Sequence, residues 1–163
     1  DYIKSYEYCV NNNVSIPSLL ISEYLPGQEF SCYCSCFNGQ LVEVAIHKKI
    51  EYEEGSTNSG VAEIYFDPII INVLKDIIKK MNLSYLVNIQ LKEDESQRLK
   101  LVEINPRLAG TIMLSQVAGY KLIETSLNLF YNSDIENKEL IKLKKSKKKY
   151  VKMIRSSSEF YEF

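Results

Sequence analysis

The sequence predicts an α+β domain in which a mainly antiparallel β-sheet is backed by helices. Three patterns carry that reading. Glu29 to Phe37 and Gln40 to Ile50 are strand-like runs joined by Asn38-Gly39. Ser84 to Glu93 and Leu99 to Asn105 alternate about a turn at Asp94 to Arg98. Between the two pairs, apolar residues recur at helical spacing from Pro68 to about Met81.

In chain order, Asp1 to Asn13 reads as the tail of an element already under way, so the chain is expected to belong to a longer polypeptide. Ser18 to Ser31 begins as a short apolar strand that breaks at Pro26-Gly27 and resumes. Asn38-Gly39 favours a two-residue type I′ turn, because both central residues take positive φ. With those two residues as the whole loop, Phe37 faces Gln40, Tyr33 faces Val44, Phe30 faces His47 and Glu29 faces Lys48. Cys32, Cys34 and Cys36 alternate on one strand face, where thiols pack as small hydrophobes. Their spacing suits neither a zinc site nor a disulfide. Glu51 to Gly60 is a polar loop and Val61 to Phe66 a short strand. Asp67 caps a helix that starts at Pro68 and lays Ile70, Val73, Leu74, Ile77 and Ile78 along one face.

In the second hairpin a loop of Glu95 to Arg98 pairs Asp94 with Leu99, Lys92 with Leu101, Gln90 with Glu103 and Asn88 with Asn105. Val87, Ile89, Leu91, Val102 and Ile104 then share one side, and Asn88, Gln90, Glu103 and Asn105 the other. Helices follow at Thr111 to Ala118, Leu122 to Tyr131 and Asp134 to Ile141. They are expected to back the sheet on the side away from the four polar residues, leaving all helices on one side.

The chain has 163 residues, 45% hydrophobic and 25% charged, which is globular composition and excludes a disordered or fibrous protein. No apolar stretch approaches the roughly 20 residues of a membrane span, and no signal segment opens the chain; a soluble, cytoplasmic protein is expected. Charge balances at 20 basic against 21 acidic residues. Seven lysines lie between Lys142 and Lys152, however, leaving 13 basic against 21 acidic elsewhere. The acidic body, with Tyr150 the one aromatic in the stripe, argues against nucleic acid as a partner.

The chemistry concentrates at Asn88, Gln90, Glu103 and Asn105. One reading is an ordinary solvent-facing sheet surface. The other is a site for a hard divalent cation, Mg2+ or Mn2+, which takes carboxylates, amide carbonyls and water rather than thiols; Glu103 has the reach to bridge two ions. Arg107, just past Pro106, adds a fixed cation suited to a phosphate.

Val102-Glu103-Ile104-Asn105-Pro106-Arg107, preceded by Asn88-Ile89-Gln90 and by Glu23-Tyr24-Leu25-Pro26-Gly27-Gln28-Glu29-Phe30-Ser31, resembles the C-terminal part of the ATP-grasp fold, most closely its carbamoyl-phosphate-synthase-like branch. The three motifs cover about Ser18 to Tyr131. Tyr150 to Phe163 is similar to the family's arginine-containing closing strand. On this basis residues 1–17 end a preceding element, 18–141 form the ATP-grasp C-terminal subdomain, and 142–163 hold the lysine-rich segment and closing strand. The resemblance implies that Glu23, Tyr24 and Leu25 form the hinge around adenine and that Glu29 accepts the ribose hydroxyls. It makes Gln90, Glu103 and Asn105 metal ligands and Arg107 the arginine that steadies the transferred phosphoryl group. Lys48, facing Glu29, is the lysine expected on the nucleotide side, and His47 reads as structural. The implied cofactors are ATP and two Mg2+ (or Mn2+) ions; the implied substrates are a carboxylate or bicarbonate and an amine. The family's phosphate-gripping lysines and glycine-rich loop have no counterpart in this sequence, so a missing N-terminal half of the fold is the expected partner. The loop Glu51 to Gly60 falls at the family's acceptor-facing segment, an ordinary surface loop being the alternative. A non-catalytic nucleotide-binding or interaction module that keeps the fold is the alternative to a ligase.

Overall fold

The computed structural model describes residues 2–15, 22–51, 60–131 and 151–155. In order these form α1 (Tyr2–Asn11), β1 (Glu29–Phe37), β2 (Gln40–Glu51), β3 (Gly60–Tyr65), α2 (Pro68–Lys80), β4 (Tyr85–Glu93), β5 (Leu99–Asn105), α3 (Ile112–Val117), α4 (Leu122–Tyr131) and β6 (Lys152–Arg155). The strands make one six-stranded sheet in the order β5-β4-β1-β2-β3-β6, every neighbouring pair antiparallel. Most of the polar loop before β3, the helix expected at Asp134 to Ile141 and most of the lysine stripe lie outside the described residues. Ser22 to Gln28 is not strand: it reaches β1 as an irregular segment, where Pro26 cannot donate to a ladder.

Asn38 and Gly39 both take positive φ, at 47° and 74°, as a type I′ turn requires. The pairing beyond the turn differs from a plain hairpin. Cys36 faces Leu41 but Ser35 faces Glu43, so Val42 is an extra residue, and from there every partner moves by one: Tyr33 opposes Ala45, Ser31 opposes His47 and Phe30 opposes Lys48. The cause lies in the faces. Without the bulge, Glu43 and His47 would share a side with Cys34 and Phe30. The one-residue slip sends them to the side of Ser35 and Ser31, and returns Val44 and Ile46 to the cysteines.

A second slip divides β4 from β5. Asn88 faces Asn105, Ile89 faces Ile104 and Gln90 faces Glu103 as the alternation predicts, but Leu91 then faces Leu101, Lys92 faces Lys100 and Glu93 faces Leu99. Val102 is the extra residue and stands exposed rather than inward. The turn is a five-residue Asp94–Arg98 loop: Asp94 Oδ1 accepts the backbone N–H groups of Ser96 and Arg98 at 2.9 and 3.0 Å, and the Arg98 side chain closes on Oδ2.

Helices cover both faces of the sheet, correcting the one-sided arrangement expected above. Cys32, Cys34, Cys36, Val44, Ile46, Val87, Ile89 and Leu91 pack against Ile70, Ile71, Leu74 and Ile78 of α2. Asp67 Oδ1 accepts the Ile69 N–H at 2.7 Å. Such a cap contributes ~1 kcal/mol, whereas each fully buried Leu or Ile contributes ~1.5–3 kcal/mol, so burial rather than capping holds α2 in place. On the other face Tyr33, Ala45, Ala62 and Ile64 pack against Ile112, Leu114, Ala118, Tyr120 and Leu122. That is the face of the four polar residues. α3 and α4 reach it because Pro106 ends β5 and the chain folds back, where the sheet presents polar anchors. Glu43 Oε1 accepts the Lys121 N–H at 3.0 Å and Oε2 the Thr125 hydroxyl at 2.6 Å, so a β2 carboxylate caps the start of α4. Ser35 Oγ donates to Leu122 O, His47 Nε2 meets Ser115 Oγ at 2.7 Å, and the Tyr33 hydroxyl meets Thr111 Oγ1 at 2.7 Å.

Candidate functional site

Strand alternation and register place the polar residues of the α3/α4 face in rows across the strands. One row runs Glu103 on β5, Gln90 on β4, Ser31 on β1 and His47 on β2; the next runs Asn105, Asn88, Tyr33 and Ala45. Nearer the end of β4 lie Lys92, Glu29 and Lys49. α3 and α4 cover the Tyr33, His47 and Ser35 side. Glu103 remains exposed and Gln90 and Asn105 partly so. The result is an open, oxygen-rich strip along β4 and β5, flanked by a buried polar layer.

Gln90, Glu103 and Asn105 therefore do come together: Gln90 and Glu103 are direct cross-strand partners and Asn105 is two residues on, on the same side. Directly opposed side chains stand roughly 4.5–5.5 Å apart at Cβ, within the span of one cation and its ligands. The donors are two amide carbonyls and one carboxylate. The described residues hold no group of three His, Cys, Asp or Glu able to bind a metal. The set fits a hard cation that completes its shell with water or phosphate oxygens, and does not fit zinc.

The segment Ser22 to Gln28 runs beside the end of β4. Gly27 N–H donates to Glu93 O at 3.0 Å, Glu93 N–H to Gln28 O at 3.0 Å, and Gln28 N–H to Glu93 Oε2 at 3.3 Å. The Gln28 side chain donates to the backbone oxygens of Glu29 and Lys49. Glu23 receives Lys100 Nζ at 3.2 Å, and Lys100 also approaches Asp94 at 3.8 Å. Tyr24 is 81% exposed and Leu25 half-buried. Arg107, just past β5, is exposed and donates to its neighbour Leu108 O at 3.3 Å.

Lys48 does not occupy the place expected of it. The bulge at Val42 puts Lys48 opposite Phe30 on the α2 side, its ammonium 5.5 Å from the centre of the Tyr65 ring. Lys49 takes the position instead, in an ion pair with the largely buried Glu29 carboxylate. The signal for this was present in Leu41-Val42-Glu43-Val44-Ala45-Ile46-His47, whose two polar residues sit on the cysteine face unless the ladder slips. His47 is buried against Ser115 and the Tyr33 ring, and burial pushes its pKa down to about 3, so it is a neutral structural imidazole. Burial likewise raises the Cys34 and Cys32 thiols, and that of Cys36 to about 12, leaving them inert.

Residues 15–153 match the family model described as ATP-grasp in the biosynthetic pathway with Ter operon, and the chain belongs to that family within the ATP-grasp superfamily. No curated protein matches the sequence significantly. Among solved structures, the chain is similar to biotin carboxylase from Campylobacter jejuni in its β,γ-ATP complex (TM-score 0.56, 16% identity, 75% of this chain and 29% of that one). It is also similar to an L-amino acid ligase from Bacillus licheniformis (TM-score 0.52, 14% identity, 71% and 32%). A third is N5-carboxyaminoimidazole synthetase from Staphylococcus aureus with ADP (TM-score 0.52, 16% identity, 66% and 30%). At these identities the likeness is one of fold, and the chain spans about a third or less of each of these proteins. No helix among the described residues is long and apolar enough to cross a membrane.

Proposed function

We propose that this chain is the ATP- and Mg2+-binding C-terminal portion of an ATP-grasp ligase that activates a carboxylate or bicarbonate as an acyl phosphate for capture by an amine. The observation that carries the reading is the oxygen-only trio Gln90, Glu103 and Asn105 on one exposed strip of the sheet, in a chain of this family. Glu23, Tyr24 and Leu25 would receive adenine. Glu29, paired with Lys49, would accept the ribose hydroxyls, and Lys49 replaces Lys48 as the nucleotide-side lysine. Gln90, Glu103 and Asn105 would hold Mg2+ or Mn2+, with Glu103 shared between two ions. One carboxylate alone holds Mg2+ weakly, so the ions would arrive with the phosphates of ATP.

A bound divalent ion would supply neutralisation of charge on the phosphate oxygens. Arg107, exposed and bonded among the described residues to its neighbour's carbonyl, would swing to the γ-phosphoryl group. A carboxylate oxygen of the substrate attacks the γ-phosphorus and the bond to the β-phosphate oxygen breaks, releasing ADP. The amine then attacks the acyl carbon and phosphate leaves. No protein nucleophile is needed, consistent with the inert sheet cysteines Cys32, Cys34 and Cys36 and a neutral buried histidine. The carbamoyl-phosphate-synthase-like reading rests on three motifs, Glu23 to Ser31, Asn88 to Gln90 and Val102 to Arg107. The subdomain bearing the phosphate-gripping lysines would come from elsewhere in the full-length protein, with residues 18–141 acting as one unit. In that protein Glu103→Ala should abolish Mg2+-dependent ATP turnover while circular dichroism and Tm stay unchanged. Activity like that of the wild type would contradict the assignment.

A further inference from the structure

We propose that Asn88 is a positioning residue for the candidate metal site: its buried carbonyl oxygen takes an N–H of Asn105 and so aims the Asn105 carbonyl oxygen at the cation. The inference rests on the reading of Gln90, Glu103 and Asn105 as ligands. Asn88 is fully buried, and its Nδ2 donates to Ser31 Oγ at 2.9 Å. Its Oδ1 is buried and has no hydrogen-bond partner, a state shared among the described residues only with His47 Nδ1. A buried acceptor left unpaired forfeits its hydration with nothing in return and destabilises the fold. A β-branched apolar residue would suit this interior strand better, so the amide stands there at the expense of stability.

The geometry supplies the missing donor. Asn88 and Asn105 are direct cross-strand partners on the same face. An amide ligates a hard cation through its oxygen alone, which leaves its two N–H groups seeking acceptors. The orphaned Asn88 oxygen is the acceptor that a cation-bound Asn105 requires. A partner of this kind fixes which end of the Asn105 amide faces the metal, and outer-shell partners of ligands typically carry about 10- to 100-fold in metal affinity.

The test is Mn2+ binding by the full-length protein with a non-hydrolysable ATP analogue, read by water proton relaxation, which separates protein-held Mn2+ from Mn2+ on free nucleotide. Asn88→Leu should weaken Mn2+ binding by about tenfold or more while the metal-free Tm holds or rises, because an unpaired acceptor has been removed. Asn88→Asp, which keeps an oxygen acceptor in the same place, should bind nearly as tightly as wild type. Wild-type affinity in Asn88→Leu would overturn the inference, as would equal losses in both variants, which would trace the effect to shape. Glu103→Gln separates the two levels of the argument. If it weakens Mn2+ binding and Asn88→Leu does not, only the role of Asn88 fails; if it too binds like wild type, the ligand assignment fails and carries this inference with it. A measurement without any Asn88 variant stands beside these. On adding Mg2+ and the same analogue to 15N-labelled protein, one Asn105 side-chain N–H resonance, assigned with Asn105→Asp, should shift downfield, and an unmoved resonance would overturn the proposal.

Discussion

Gly27 shows how a single residue holds the segment before β1 against β4. A Cβ built on it would stand 2.6 Å from Glu93 Cβ and 2.8 Å from Glu93 O, contacts that real side chains do not make. The segment therefore lies against β4 because it has no side chain there, and this contact sets where Glu23 and Leu25 sit relative to Gln90. Gly27→Ala has to break the bonds between Gly27, Gln28 and Glu93 or displace β4, a strain of about 1–3 kcal/mol. We expect a lower Tm and, under the proposed function, a KM for ATP raised several-fold with kcat less affected; an unchanged KM would show that the segment does not position adenine. The Asp94 carboxyl nearby is held below its ordinary range, chiefly by the Arg98 backbone N–H. Its contribution to the turn is present above the ordinary carboxylate range and is lost as pH falls below it.

At the scale of elements, the two bulges decide which side chains meet. Strands β1 to β5, the type I′ turn, α2 and α4 were legible in the sequence, because alternation, Asn-Gly and the Asp67-Pro68 start each have a local physical cause, whereas the strand expected to open at Ser18 is irregular from Ser22 to Gln28. The register was legible on one side of each bulge only. Pairing counted outward from the first turn holds as far as Leu41 and fails past Val42, whereas in the second hairpin the expected pairs hold from Gln90–Glu103 to Asn88–Asn105 and fail between Val102 and the loop, since an extra residue leaves no local mark. It shows only when the polarity of a whole face is demanded to be consistent. The same slip brings His47 under α3, and this joint has a pH signature. Folded His47 titrates at about 3 against an ordinary 6.5, so between those values the unfolded chain binds a proton that the fold refuses. Stability is then full above about pH 6.5 and falls with acidification by up to about 1.4 kcal/mol per pH unit. Because His47 is the one histidine in the chain, urea midpoints between about pH 6.5 and 5, above the ordinary carboxylate range, report on it. His47→Asn should flatten that slope, and an unaltered slope would place the titration elsewhere.

Across the whole molecule, the sheet divides its work between two faces. The α2 face is apolar and carries stability through buried Leu, Ile and Cys. The other face combines polar anchors for α3 and α4 with the open strip of Gln90, Glu103 and Asn105. This division explains why the candidate site was more legible than the packing around it. The residues proposed as ligands carry their oxygen chemistry openly in the sequence, whereas the covering of the same face by α3 and α4 depends on Glu43, His47 and Ser35, which look like ordinary strand residues until the register is known. The central claim is that Mg2+-ATP lies along β4 and β5 on this face, between residues 22–29 and Arg107. Hydrogen–deuterium exchange of the full-length protein tests it most directly. Adding Mg2+-ATP should slow exchange in segments 22–31 and 101–107, and Glu103→Ala should remove the Mg2+-dependent part of that slowing. Exchange unchanged in both segments, or slowed only over α2 on the opposite face, would contradict it.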